Sequence, residues 1–251
     1  MSRPILERLA MIEWGPGRFF RLDGVQFALE DLYDFYEGAE ALPVMKSRAS
    51  LVSYGEALAG LQVRNMIELG IRRGGSTALF ALLLEPEKLV AIDIGKPAKE
   101  LERFRAENPR GARIAPLYRT SQDDETALGE VLAREMDGPL DLVIDDASHA
   151  YEQTRNSFEI LFPRLRPGGL YVIEDWSWAH MRGFMLWRDQ PALSNLIFQL
   201  MMICAGHPEL IEVITVCPGL ALIRKGTAEA AAQRLDLDGL CWMQGRTFNL
   251  I

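Results

Sequence analysis

From residue 63 onward the chain settles into an alternation that few folds can absorb. Four short apolar runs, "VRNMIELG" (63–70), "KLVAIDIG" (88–95), "ARIAPLYRT" (112–120) and "LDLVIDD" (140–146), are each followed by a helix-forming stretch: "STALFALLL", "AKELERFRAEN", "DETALGEVLAREM" and "YEQTRNSFEILFPRL". A fifth run, "GGLYVIED" (168–175), closes the series. Runs that are apolar throughout, rather than at every second residue, belong to strands covered on both faces, and strand–helix repetition makes those strands parallel. The ending breaks the rhythm. After the helix-like "ALSNLIFQLMMICAG" come "IEVITVC", a Pro-Gly pair and "LALIRKG", two strands joined by a tight turn. A dinucleotide fold would continue with further crossovers, so this hairpin points elsewhere. The expected architecture is α/β: a Rossmann-like, mostly parallel seven-stranded sheet with a C-terminal antiparallel hairpin strand.

The first 60 residues are built differently. "WGPGR" and "LDGV" are turn sequences, while "FALEDLYDFYEGAEAL" and "SLVSYGEALAGL" look helical. Residues 1–60 are therefore expected to form an N-terminal helical cap on a domain spanning 61–251. The 251 residues suffice for one large α/β domain. A net charge of −8 argues against a nucleic-acid partner, which needs a basic surface, and against attraction to an anionic membrane. Cys204, Cys217 and Cys241 form no CxxC pair and fit free thiols in a reducing cytoplasm. The start lacks a signal-peptide pattern, and the apolar stretch near 196–206 is too short to span a bilayer.

In an open parallel sheet, ligands bind beyond the carboxyl ends of the strands. The turn after the first strand, "ELGIRRGGST", supplies Gly70, Gly74 and Gly75 for close backbone approach, with Ser76 and Thr77 at a helix start. Its spacing is G-x-x-x-G-G, not the dinucleotide G-x-G-x-x-G. Asp93 ends the second strand, where a carboxylate commonly accepts from a ribose diol. Ser121 and Gln122 follow the third strand and could read an adenine edge. Each feature alone is ordinary turn or cap chemistry. Three of them at three consecutive strand ends favour a nucleoside-bearing cofactor.

Acidic pairs end the fourth and fifth strands: Asp145-Asp146 and Glu174-Asp175. Four carboxylates at one sheet edge repel one another, so something should neutralise them. A divalent cation bound through oxygens is the simplest answer, and Mg²⁺ suits carboxylates plus water and substrate oxygens. His149, three residues after Asp146, is placed to act as a general base near neutral pH. Isolated, a DD or ED pair would be read as a helix cap and a solvated strand end; two pairs beside a histidine favour the metal. The irregular "SWAHMRGFMLWRDQP" (177–191) is a candidate lid, and Trp176, Trp178, Phe184, Trp187 and Trp242 are candidates for an aromatic wall. His180 is a second candidate base.

Taken in order, "IELGIRRGGST", "AIDIG", "TSQDD", "DLVIDDASH" and "RPGGLYVIED" resemble the class I S-adenosylmethionine-dependent methyltransferases. Within them the chain is similar to the metal-dependent O-methyltransferases: the catechol type and, more closely, bacterial sugar O-methyltransferases that modify macrolide antibiotics. The family labelled cephalosporin hydroxylase shows similar strand ends. The resemblance runs from about residue 60 to residue 226 and implies a site. Glu68 and Gly70 would line the cofactor pocket, with Asp145 counted among its residues, and Ser76 would bind the methionine carboxylate. Asp93 would hold the ribose, with Ser121 and Gln122 beside the adenine. Asp146, Glu174 and Asp175 would coordinate the ion, and His149 would be the base. The catechol type has lysine at that last position and Asp-Asn where this chain has Glu174-Asp175. A histidine base does not require an acidic phenol.

The expected activity is S-adenosylmethionine- and divalent-metal-dependent O-methylation of a small-molecule hydroxyl, with a sugar of a natural-product glycoside as acceptor. The competing readings are a nicotinamide-dependent oxidoreductase on a related sheet and a non-catalytic methyltransferase-like scaffold. The N-terminal residues would build either the acceptor pocket or the interface of a homo-oligomer.

Overall fold

The structure, a computed structural model, describes residues 5–31, 33–183 and 189–251. Phe184 and Trp187 of the candidate aromatic wall lie outside the described residues. The N-terminal part runs α1 (Ile5–Ala10), β1 (Glu13–Trp14), β2 (Phe19–Leu22), β3 (Val25–Leu29), β4 (Leu42–Val44) and α2 (Arg48–Ala57). The alternating part runs β5 (Asn65–Leu69), α3 (Gly75–Leu84), β6 (Lys88–Asp93), α4 (Lys99–Glu107), β7 (Ile114–Tyr118), α5 (Glu125–Glu135), β8 (Leu140–Asp145), α6 (Tyr151–Leu161) and β9 (Leu165–Glu174). The end runs α7 (Ser194–Gly206), β10 (Ile211–Cys217), β11 (Leu220–Lys225) and α8 (Leu237–Leu240).

The large sheet has seven strands in the order β10-β11-β9-β8-β5-β6-β7. The five central and edge strands from β9 to β7 pair parallel, and β11 is antiparallel to both of its neighbours. The expected hairpin is β10–β11, and its second strand inserts beside β9. Chain order reverses between β5, which feeds β6 and β7, and β8, which feeds β9. Such a switch point opens a crevice at the strand carboxyl ends. Gly70 and Asp146 leave the sheet on either side of it.

Both faces of the sheet are covered. On one, Met66, Leu89, Ile144 and Val172 pack with α3, α4 and the N-terminal elements, including Phe20, Phe27 and Tyr54. On the other, Ile67, Val143, Tyr171 and Ile173 pack with α5, α6 and α7. Alternate residues of one strand thus enter opposite cores, as strand geometry requires. The N-terminal elements share the first core with the sheet and complete that face.

The cap is not the helical one expected. Between its two helices lie four strands, in the order β1-β2-β3-β4. Asp23 and Gly24 both take positive φ, 50° and 78°, and make the tight turn from β2 to β3. The segment expected as one helix, "FALEDLYDFYEGAEAL", instead finishes β3 and then leaves regular structure. There Asp31 accepts the backbone N–H groups of Tyr33 and Asp34 at 2.8 and 2.9 Å, a local alternative to helical bonding. The second helical reading holds: Ser47 caps α2 by accepting from the Ser50 N–H. Tyr54 on α2 packs edge-on to Phe80 of α3, pinning the cap to the sheet.

Candidate active site

A cavity of about 790 Å³ lies over the switch point. Gly70, Ser76, Asp93, Ser121, Gln122, Asp146, His149 and Asp175 all line it. Glu68, Asp145 and Glu174 lie beneath its surface, each almost fully buried.

The glycine turn fits its place tightly. Gly70 has φ +97°, and a Cβ there would stand 2.1 Å from the Asp146 carbonyl oxygen. Only glycine lets the β5 and β8 exits run side by side. At Gly75, a Cβ would meet the Pro43 carbonyl at 1.9 Å, so β4 of the cap rests directly on the start of α3. The α3 N-cap, Gly74, provides no side-chain cap for the first-turn N–H groups, and Gly75 and Ser76 of that turn line the cavity.

Asp93 braces this turn. One oxygen accepts the N–H groups of Ile71 and Arg72 at 2.8 and 2.7 Å, and the other accepts from Gly95 at 2.6 Å. A carboxylate has about four lone-pair directions, so one acceptor position remains for a cavity ligand. Ile94, next along and 77% exposed, lines the same cavity and offers an apolar face. Arg72 and Arg73 are ion-paired to the buried Glu30, and Arg72 sits over the Phe35 ring, so the strap after β3 is tied across the turn.

Gln122 does not present its amide to an adenine edge. Its Nε2 donates to Asp145 at 3.0 Å and to the Ser157 hydroxyl at 3.2 Å, and its Oε1 accepts the Ser148 N–H at 2.9 Å. It positions the loop that carries Asp146 and His149. Asp145 belongs to the same buried network, accepting from Ser157 at 2.6 Å and Tyr171 at 2.9 Å. Burial lifts its carboxyl to about 6, against the pull of those hydroxyls. Its place in the cofactor pocket is corrected by strand alternation: Asp145 points into the core that holds Val143, away from the face of Asp146. Ser121 lines the cavity and donates to Asp123 at 2.5 Å. Glu68 is fully buried, and among the described residues neither oxygen has a hydrogen-bond partner. Burial raises its carboxyl to about 7, with Ser76 and Thr77 opposing.

On the acidic side, the oxygens and ring nitrogens of Asp146, His149 and Asp175 offer three donor atoms within 4.8 Å of one another. His149 Nε2 lies 3.9 Å from Asp146 Oδ1. Its ring rests against Trp178, with centroids 4.5 Å apart. His149 and Asp175 both adopt φ of 55°, the left-handed region, and strain of this kind gathers at working sites.

Glu174 is occupied differently from the expected metal ligand. The Tyr54 hydroxyl donates to it at 2.5 Å, and the Lys46 ammonium lies 2.7 Å from its Oε1 and 2.8 Å from its Oε2. The same ammonium donates to Asp146 Oδ2 at 2.7 Å. Burial disfavours a charged lysine, yet Asp146 and Glu174 outweigh it and hold Lys46 protonated well above its ordinary range. Sequence reasoning missed both Lys46 and Tyr54. Their one local signal is a lysine directly after a strand-like apolar run, "LPVM", a pattern that usually marks a surface anchor.

The other candidates separate. Trp178 lines the cavity, whereas Trp176 donates to the Cys217 carbonyl at 3.1 Å and Trp242 is 80% exposed. His180 bonds the Ser194 hydroxyl at 2.8 Å. Cys204, Cys217 and Cys241 are free. Among the described residues no helix is long and apolar enough to cross a membrane.

A seven-stranded sheet of this order, with a glycine turn and an acidic edge flanking its switch point, has the fold of the class I S-adenosylmethionine-dependent methyltransferases. Residues 67–176 match a methyltransferase domain family, which bears out the resemblance seen in the sequence. The chain is similar to demethylmacrocin O-methyltransferase of Streptomyces fradiae, 56% identical over 104 residues, 40% of this chain and 26% of that protein. It is also similar to mycinamicin VI 2''-O-methyltransferase of Micromonospora griseorubida, 51% identical over 63 residues, 25% of this chain and 15% of the relative. Among solved structures, the MycE methyltransferase of the mycinamycin biosynthetic pathway, in complex with Mg and SAH, is 28% identical with a TM-score of 0.54. That match covers 70% of this chain and 49% of MycE, so the chain spans at most about half the length of these relatives.

Proposed function

We propose that the protein is an S-adenosylmethionine-dependent, divalent-metal-dependent O-methyltransferase acting on a small-molecule hydroxyl, with a sugar of a natural-product glycoside as acceptor. The observation that carries this reading is one cavity that joins a nucleoside-type binding edge to the Asp146–His149–Asp175 donor cluster. The cofactor fits the residues present: the α3 N-terminus, which has no side-chain cap, lines the cavity through Gly75 and Ser76, and Asp93 lines it beside them. The ion fits as well. Asp146 and Asp175 supply hard oxygen donors, and the cluster has a negative excess. MycE, in complex with Mg, SAH and mycinamycin VI in a further structure at 28% identity, supports the same pairing of groups.

When bound, the cofactor supplies an activated methyl group, and the ion favours the deprotonated form of the acceptor hydroxyl. This chain's residues do the rest. Asp146 and Asp175 would hold the ion, and His149 Nε2 accepts the hydroxyl proton. The Trp178 ring fixes the imidazole plane, and Gln122 with Asp145 holds the loop from which His149 projects. Positioned groups of this kind remove orientational entropy from the barrier. The Tyr54–Glu174–Lys46 set lies buried beneath the site.

The test is methyl transfer from labelled S-adenosylmethionine to a panel of glycosides, free sugars and phenols, with and without EDTA. Transfer to a glycosidic sugar that EDTA stops and Mg²⁺ restores is the expected result. Metal-independent transfer, or transfer to phenols alone, would overturn it. The sheet order and glycine spacing oppose the nicotinamide alternative, and binding of S-adenosylhomocysteine against NADH separates the two. Three free thiols fit the cytoplasm as the place of reaction.

A further inference from the structure

Lys46 connects parts of the chain that the catalytic reading treats separately. It stands between β4 and the α2 cap residue Ser47, and its side chain is only 2% exposed. Its ammonium is shared between Asp146 Oδ2 and both oxygens of Glu174, 6.0 Å from the Phe80 ring centroid. Asp146 is therefore divided. One oxygen faces the buried lysine, and the other faces His149 and the open donor cluster. Burial and Asp146 push the Glu174 carboxyl up, and the Lys46 contact opposes them and favours its ionised form. Counted at formal charges, Asp146, Glu174 and Asp175 bring three negative charges to one positive charge, and two net negative charges remain. That residue of charge matches one divalent cation.

We propose that Lys46 sets the charge of the metal site: by holding Asp146 and Glu174 in one buried ion pair, it fixes how tightly a cation binds and which valence is preferred. The proposal rests on the reading of Asp146 and Asp175 as ion-holding residues. In the metal-free chain, the ammonium removes the repulsion that would otherwise set two buried carboxylates against each other. In the loaded chain, it draws on Asp146 and opposes the ion, which keeps affinity below the value three unopposed carboxylates would give. Coulomb energy scales with ion charge, so the effect of Lys46 is larger on a trivalent ion than on a divalent one. A residue that merely props the fold would alter both affinities alike.

The test is calorimetric titration of Mn²⁺ and Tb³⁺ into the full chain as wild type, Lys46→Met, Lys46→Arg and the double variant Lys46→Met/Glu174→Gln. Lys46→Met should tighten Mn²⁺ by about tenfold and Tb³⁺ by about thirtyfold, since the logarithm scales with ion charge. Lys46→Arg keeps the charge and should keep the wild-type ratio of the two affinities. The double variant replaces the ion pair by neutral groups, a change buried pairs commonly tolerate, and should return that ratio to near wild type. If Lys46→Met does not stay folded without metal, Glu174→Gln alone, which keeps the lysine, should lower the Tb³⁺-to-Mn²⁺ ratio. A ratio unchanged across the charge variants, or both ions weakened in equal proportion, overturns the role given to Lys46. Absence of binding of either ion to every variant overturns the metal reading itself, and the proposal with it.

Discussion

The two acidic pairs that end β8 and β9 look alike in sequence and meet different fates. In Asp145-Asp146, the first carboxylate turns into the core beneath α6, where neutral donors, Ser157, Tyr171 and Gln122, surround it. In Glu174-Asp175, the first carboxylate turns to the opposite face, where a cation, Lys46, and the Tyr54 hydroxyl hold it. The second member of each pair opens to the cavity beside His149. Neighbouring positions on a strand face opposite ways, so a doubled acid at a strand end yields one buried anchor and one available ligand. The anchors differ in kind. Asp145 is held by groups without charge and serves geometry; Glu174 is held by an ammonium and serves the charge of the site.

The sharpest break in this comparison lies at His149, which projects from the loop that the first pair fixes. His149→Ala should lower kcat by about 10²–10⁴-fold, the usual loss of a general base, while calorimetry shows S-adenosylhomocysteine binding unchanged. Unaltered turnover would remove His149 from the chemistry. Next in size is the contrast within the first pair. Asp146→Asn should weaken Mn²⁺ binding by more than the roughly 10–100-fold typical of outer partners of a metal site. Asp145→Asn should stay below about tenfold, because among the described residues its carboxylate is hydrogen-bonded to Gln122, Ser157 and Tyr171, beneath the cavity. Equal losses would show that both members face the ion.

Much of this was legible in the chain. Strands β5 to β9 announce themselves because each is buried on both faces, and the closing hairpin carries its own turn. The cavity edge was readable too: Gly70, Ser76, Asp93, Asp146, His149 and Asp175 all line it, since strand ends of a parallel sheet must converge. Two things escaped. Residues 27–42 look helical in sequence, yet Asp31 draws backbone N–H groups into a local turn and β3 pairs with β2 instead. Lys46 escaped for another reason: its carboxylate partners lie 100 and 128 residues away, beyond any local pattern. Sequence reasoning asked what would neutralise the acids and named only an ion; the fold supplies part of the answer from its own N-terminal segment.

The second anchor can be probed without touching charge. Tyr54→Phe deletes the hydroxyl that donates to Glu174 and leaves the ring against Phe80. A hydrogen bond to a charged group contributes about 1.5–3 kcal/mol, and the variant should lose stability of that order in urea unfolding above pH 8, where the Glu174 carboxyl, pushed up to about 8 by burial, is ionised. The loss should shrink in Lys46→Met/Glu174→Gln, where the acceptor is no longer ionised. An unchanged loss there would show that Tyr54 acts through packing alone.

Glu68 extends the comparison to a third buried acid, one whose oxygens make no hydrogen bond of ordinary geometry among the described residues and which Lys46 reaches only through space. Burial raises its carboxyl from the usual range to about 7, so the folded chain keeps a proton that the unfolded chain releases. Between about pH 4.5 and 7 the folded state binds more protons than the unfolded state, and stability falls as pH rises through that window. The slope from one such group is at most about 1.4 kcal/mol per pH unit. Glu68→Gln, neutral at every pH, should flatten the fall of thermal midpoint across that window and leave the chain more stable than wild type above it. Asp145, lifted to about 6, leaves a slope of its own in the same window, so the reading is the difference between the two chains; a slope identical to that of wild type would mean that Ser76, Thr77 and Lys46 already compensate the Glu68 carboxylate. All three buried acids would then be held in the same way, and the distinction between neutral and cationic anchors would lose its third case.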